Sequence, residues 1–377
     1  MISISKLIEK VEKINPNNHE GSWKYIDIAS VDRFQKKIVL DSVSDITADS
    51  APSRARQLVL AGDIIISTVR PNLNTVAIVP KELDGAIAST GFCVLRPNKE
   101  MVDTKYLFHY IKSDDFVGKL VKLATGANYP AVSDKIIKEQ YLKKISLCEQ
   151  KNIAAILDKA EGIRQKREQA IKLADDFLCA TFLEMFGDPV ENPKGWQRMK
   201  FSEVGTLDRG KSKHRPRNAP ELLGGIHPLI QTGDVANSGG YITDYFSTYS
   251  DIGLAQSKMW KKGTLCITIA ANIAKTGILT FDACFPDSVV GFQPNQHVEI
   301  EFIQYWLGFL QKQLEETAPE VAQKNINLAI LRDLDVIVPD KALQMKFKGV
   351  VKKVRELKEK YHNFPDIQPV LSSFHLS

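Results

Sequence analysis

The residues with the most chemical potential in this chain are basic and amide side chains gathered in short loops. The densest run is Arg209-Gly-Lys-Ser-Lys-His-Arg-Pro-Arg217, which holds Arg209, Lys211, Lys213, Arg215 and Arg217. Gly210, Ser212 and Pro216 keep it out of a helix. Such a density of cations suits a phosphate backbone, and it equally suits a solvated loop. A second loop, Arg70-Pro-Asn-Leu-Asn74, lies between apolar strand-like runs, with Ala271-Asn-Ile-Ala-Lys275 as its counterpart. Arg70, Asn72, Asn74, Asn272 and Lys275 are of the types that read base edges, although Pro and Asn also favour a plain turn. Asn128-Tyr129 and Gln323-Lys324-Asn325 form a third matched pair. Arg54 and Arg56, and Arg33 with Lys36 and Lys37, suit phosphates or ordinary surface charge.

Chemistry that makes or breaks bonds is not legible. There is no GxGxxG or GxxxxGK[ST] loop. An adenine methyltransferase would need an Asn-Pro-Pro-aromatic loop for a flipped base, and Asn128-Tyr-Pro130 has the wrong order. Asp340 with Glu356 and Lys358 could hold Mg²⁺, but the last two flank Leu357 on a heptad helix and read better as its solvated face. His19, His214 and His375 fall in polar segments, and His109 reads as packed within an apolar helix. Five scattered cysteines without CxxC spacing argue against disulfides and zinc and for reduced, buried thiols. A net charge of +5 permits nucleic-acid binding without requiring it. No apolar run reaches the roughly 20 residues of a membrane span. The N-terminal residues lack a signal-peptide core, so a cytoplasmic protein without membrane partners is expected.

The loops must be positioned by a scaffold, and the scaffold repeats. Leu60-Ala-Gly-Asp-Ile-Ile-Ile66 matches Lys261-Lys-Gly-Thr-Leu-Cys-Ile267, each a turn leading into an apolar strand. Gly91-Phe92 with Arg96-Pro97-Asn98 matches Gly291-Phe292 with Gln293-Pro294-Asn295. The helix start Tyr106–Ile111 matches Phe302–Leu307, and closing strands are expected at Leu142–Leu147 and Leu334–Val338. A long helix follows each copy. In the first, Ile153, Ile156, Ala160, Ile163, Arg167, Ala170, Ala174, Phe177 and Thr181 fall at three- and four-residue steps; in the second, Phe347, Val350, Val354, Leu357 and Tyr361 do so. That period of about 3.5 predicts coiled-coil pairing. The first helix should run from about Gln150 to Phe186, roughly 50 Å, and stop at Gly187-Asp-Pro189. Two-fold pseudo-symmetry would place the two helices antiparallel.

These features resemble the specificity subunits of type I restriction-modification systems over nearly the whole chain. The resemblance rests on Tyr25-Ile-Asp-Ile28, Gly62-Asp-Ile-Ile-Ile-Ser-Thr-Val-Arg70, Met185-Phe-Gly-Asp-Pro189, and Gly195-Trp196 before Arg209-Gly-Lys211, together with the duplication and the interposed helix. It implies an α+β chain with two similar mixed α/β target-recognition domains joined by two long antiparallel helices. The expected divisions are 1–149, the spacer helix 150–187, 188–339, a second helix 340–363, and a tail 364–377. Each domain would bind half of an interrupted site in double-stranded DNA. The helices would set the spacing and dock two methyltransferase subunits, with restriction or translocase subunits joining. S-adenosylmethionine, ATP and Mg would then belong to the partners, and the chain itself would be non-catalytic. The competing expectations are a stand-alone enzyme with a coiled-coil dimerisation arm and a scaffold that binds only proteins.

Overall fold

The computed structural model describes residues 1–126, 128–214, 216–269, 274–317 and 327–362. Two compact units, Met1–Lys166 and Arg167–Phe364, meet within one continuous helix. Its helices are α1 (Thr104–Lys112), α2 (Asp114–Leu123), α3 (Asp134–Lys138), α4 (Leu147–Phe186), α5 (Thr232–Ala236), α6 (Asp251–Ala255), α7 (Ile300–Thr317), α8 (Leu328–Asp333) and α9 (Lys341–His362).

In the first unit, one sheet orders Ser44–Thr47, Ser22–Ile26, Ile87–Ser89 and Ala55–Leu58. The other orders Ile8–Glu9, Phe92–Pro97, Ile64–Ser67 and Val76–Ile78. The run Ile64-Ile65-Ile66 is wholly buried because the strand is covered on both faces. Ile64 and Ile66 pack with Tyr106, Leu107 and Tyr110 of α1, while Ile65 faces the opposite cluster of Ile26, Ala88 and Phe92. The second unit repeats the plan. Leu265–Thr268 lies between Val289–Pro294 and Thr276–Leu279; Leu265 and Ile267 face one core, and Cys266 the other.

The pairing registers align the two copies. Leu95 stands opposite Ile64, and Phe292 opposite Leu265. Arg96-Pro-Asn98 therefore does match Gln293-Pro-Asn295. Consistently, the Asn98 amide donates to Leu7 O and the Asn295 amide to Val204 O, at 2.9 and 3.0 Å. The Gly91-Phe92 match must be corrected: Thr68 N donates to Gly91 O where Ile269 N donates to Ser288 O, so Gly91 corresponds to Ser288. The buried Asp63–Arg96 ion pair, 2.8 Å, becomes a neutral Gln293–Thr264 bond of 3.3 Å in the second copy.

A buried glutamine near the start of each long helix locks it to its own unit. The Gln150 side chain accepts from Asp103 N at 2.8 Å and donates to Met101 O and Ile145 O. Gln344 accepts from Glu299 N at 2.8 Å and donates to His297 O and Pro339 O. The first closing strand is only Tyr141–Leu142, because α4 already begins at Leu147. The inward face of α4 follows the heptad expectation only in part. Ala160 is buried as expected and Ile153 packs half-buried, but Gln150, Ala154 and Leu157 are buried beside them, whereas Ile156 and Ile163 are exposed. Further along, Leu178, Phe182 and Phe186 are buried and Phe177 is exposed. Within the second unit α9 runs antiparallel to the end of α4: Phe347 packs on Phe182 and Phe186, and Lys358 pairs with Asp175 at 2.7 Å. Helix α4 stops where expected, with Gly187 at φ +79°. The tail lies outside the described residues.

Candidate nucleic-acid interface

In the first unit several of the basic loops are fastened into one surface. The Arg54 carbonyl accepts from Thr90 N at 2.8 Å, the Gly91 carbonyl from Thr68 N at 2.9 Å, and the Thr68 carbonyl from Val132 N at 2.9 Å. The Arg70 amide then donates to Pro130 O at 2.7 Å. This chain of backbone bonds brings Arg54, Arg70 and the Asn128-Tyr129 loop together. Arg70 sits in the left-handed region, φ 51°, and its guanidinium lies 4.8 Å over the exposed Tyr129 ring. Stacking of this kind holds a cation in place while leaving its donors available. Asn72 and Asn128 are exposed beside it.

Two expected contacts are committed to the fold. Asn74 takes φ 49°, its side-chain amide donates to Lys112 O at 3.0 Å, and its carbonyl accepts from Lys36 Nζ. It braces the loop and is not placed as a base reader. Arg56 turns back on the chain, donating to Ala55 O at 2.7 Å. Lys36 is half-buried, and burial together with nearby Lys112 lowers its pKa to about 8. Burial likewise depresses Lys112. His109 is packed as expected and bonds Asp158 at 2.8 Å, with burial and then Lys112 lowering its pKa. Lys105 bonds the same carboxylate at 2.5 Å, so α1 and the first part of α4 are joined by a hydrogen-bonded triad.

In the second unit the basic run is anchored at several points. Ser257 Oγ donates to Lys211 O at 2.8 Å, and His214 N donates to Gln256 Oε1 at 3.0 Å. Gly210 is obligatory, because a Cβ there would lie 2.2 Å from Phe285 O. Arg209, Lys211 and Lys213 are exposed, whereas Arg217 is paired with Asp287. Lys275 is exposed with Nζ 3.4 Å from Gln311 Oε1. The register makes Thr75 its counterpart and pairs Asn74 with Ala274, so the second hairpin loop is one residue shorter. Ala274 shares the left-handed conformation, φ 55°. Arg215, Asn272, Gln323, Lys324 and Asn325 lie outside the described residues.

Exposed apolar side chains were not singled out from the sequence. Phe34 is 76% exposed, and Ile226 and Phe246 are 83% and 91% exposed. The signal for Phe34 was an aromatic residue inside the polar turn Asp32-Arg-Phe-Gln-Lys-Lys37. Cys93, Cys266 and Cys284 are buried, but Cys148 and Cys179 on α4 are exposed, contrary to the expectation for all five. Among the described residues, no group of three or more His, Cys, Asp or Glu could hold a metal ion, and no helix is long and apolar enough to cross a membrane.

The duplicated scaffold meets a known pattern twice. The family described as the type I restriction modification DNA specificity domain matches residues 6–173 and again 193–356. The chain belongs to this family. A relative is the type I restriction enzyme HindI specificity subunit of Haemophilus influenzae, 23% identical over 369 residues, 78% of this chain and 80% of that one. Two solved structures share the fold. One, from work on complex assembly and conformational transition of the type I R-M system, has a TM-score of 0.58 at 23% identity and covers 100% of this chain and 95% of that one. The other, the type I restriction-modification S subunit from M. genitalium, has a TM-score of 0.59 at 16% identity, covering 99% and 91%. As a specificity-domain protein, the chain carries one matched stretch for each copy of its repeated sheet pair.

Proposed function

We propose that this specificity-domain chain binds double-stranded DNA at a two-part sequence, one part per unit, and positions methyltransferase subunits on it. The observation that carries this is the duplication: two copies of one α/β scaffold, the first presenting exposed basic and amide side chains from loops and the second exposed basic ones. Arg54, Arg70, Asn72, Asn128 and Tyr129 serve the first half-site. Arg209, Lys211, Lys213 and Lys275 serve the second, with Arg215, Asn272, Gln323, Lys324 and Asn325 assigned there from sequence alone. Phosphate contacts fix the register, and arginine and amide side chains supply base readout. The two long helices connect the readers and dock the partners. S-adenosylmethionine, and ATP and Mg where restriction subunits join, are bound by those partners.

The test is reconstitution. The purified chain incubated with DNA and labelled S-adenosylmethionine is expected to transfer no methyl group. Addition of the methyltransferase subunits should give transfer at a single motif. Transfer by the isolated chain would overturn the assignment.

A further inference from the structure

Short strands Val31–Asp32 and Lys37–Ile38 form a hairpin whose tip is Arg33-Phe34-Gln35-Lys36. The tip is rigidly built. The Asp32 carboxylate accepts from the Phe34 and Gln35 amides at 2.8 and 3.0 Å. Lys36 takes φ 56° and its ammonium reaches the Asn74 carbonyl. Strand Lys37–Ile38 packs beside Val76–Ile78. The tip is therefore tied to the loop that carries Arg70. Here Phe34 holds its ring 76% exposed, among Arg33, Lys36 and Lys37. An apolar ring held out within a cationic loop surface has no role in the unit's own core.

The orientation of Arg33 decides what such a ring can do. Its guanidinium carbon lies over the ring, 4.8 Å from the centroid. A ring wedged into a base step sets its faces against the bases, and here Arg33 already occupies one of them. With one face covered, the ring can present its free face and edge to an apolar group on a groove floor. In the major groove the base-edge group of that kind is the C5 methyl of thymine.

Resting on the DNA-binding reading above, we infer that Phe34 is a specificity-determining contact for a thymine methyl group in the half-site read by the first unit. Arg33 holds the ring and supplies a cation to the adjoining backbone. Removing one buried methyl should weaken binding about three- to fivefold.

The experiment uses the full chain assembled with its methyltransferase subunits and the DNA motif that this complex methylates. Each thymine of the motif is replaced in turn by uracil, which deletes only the methyl group. The wild-type complex should lose about three- to fivefold in affinity at one position of one half-site. The Phe34→Ala complex should bind thymine and uracil duplexes equally there, and Phe34→Leu should keep part of the preference. Because the side chain is exposed, folding is not at stake, and unchanged thermal unfolding of Phe34→Ala checks this. A half-site without an A·T pair, or an equal uracil effect in wild type and Phe34→Ala, would overturn the inference while leaving DNA recognition intact. A wild-type complex that binds no motif would instead overturn the reading on which it rests.

Discussion

Arg70 and Asn74 bound the same short loop, yet one is exposed and the other is bonded into the fold, and two alanine substitutions should separate the roles proposed for them. Asn74 holds a left-handed backbone that costs an ordinary residue about 1 kcal/mol more than asparagine. Its amide also donates to Lys112 O, a bond worth about 0.5–1.5 kcal/mol. Asn74→Ala should therefore destabilise the first unit by about 1.5–2.5 kcal/mol. Arg70 is exposed and its side-chain contact in the fold is the stack on Tyr129. Arg70→Ala should change stability by less than about 0.5 kcal/mol and lower affinity for the cognate motif by about 1–3 kcal/mol, relaxing one base position. Urea unfolding gives the first quantity; competition binding against single-base variants of the motif gives the second. Relaxed base preference at undiminished stability in Asn74→Ala, or unchanged affinity and preference in Arg70→Ala, would refute this division of roles.

Three further outcomes follow from the same geometry. Gln344→Leu leaves the Glu299 amide and two carbonyls without their buried partner, so a loss of about 3–5 kcal/mol is expected in the unfolding of the second unit; Gln150→Leu should do the same to the first. Lys36 has a folded pKa near 8, below its ordinary value, so the unfolded chain binds more protons between about pH 8 and 10. The stability of wild type relative to Lys36→Met should rise across that window and stay flat below it, as thermal melts of the pair at pH 7 and 9.5 will report. Four residues inserted after Ala170 lengthen α4 by about 6 Å. They should shift the preferred gap between half-sites by about one or two base pairs, at 3.4 Å per step, with both half-sites unchanged; methylation of a library of varied gaps checks it.

The repeat was legible because glycine turns and apolar strands recur in order, and Asn98 and Asn295 make the same bond in each copy. The Gly91-Phe92 match failed because a Gly-Phe pair suits more than one position along a buried strand, and only hydrogen-bond register tells them apart. Part of the buried face of α4 was missed for a different reason. Its key position is a glutamine, Gln150, which satisfies backbone groups of the adjoining loop. A hydrophobic pattern skips such a residue and slides to the neighbouring stripe of Ile156 and Ile163. Residue type likewise could not separate Asn74, spent on the fold, from exposed Asn72. Phe34 was passed over because its exposure depends on an Asp32 cap and a left-handed Lys36 that only the folded hairpin shows.

The central claim, that each unit reads one half of a divided site, is tested most directly by mapping methylated adenines in host DNA with and without this gene. One motif should disappear with the gene, made of two short defined sequences separated by a gap of fixed length and free sequence. A continuous motif, or a methylation pattern unchanged by loss of the gene, would contradict it.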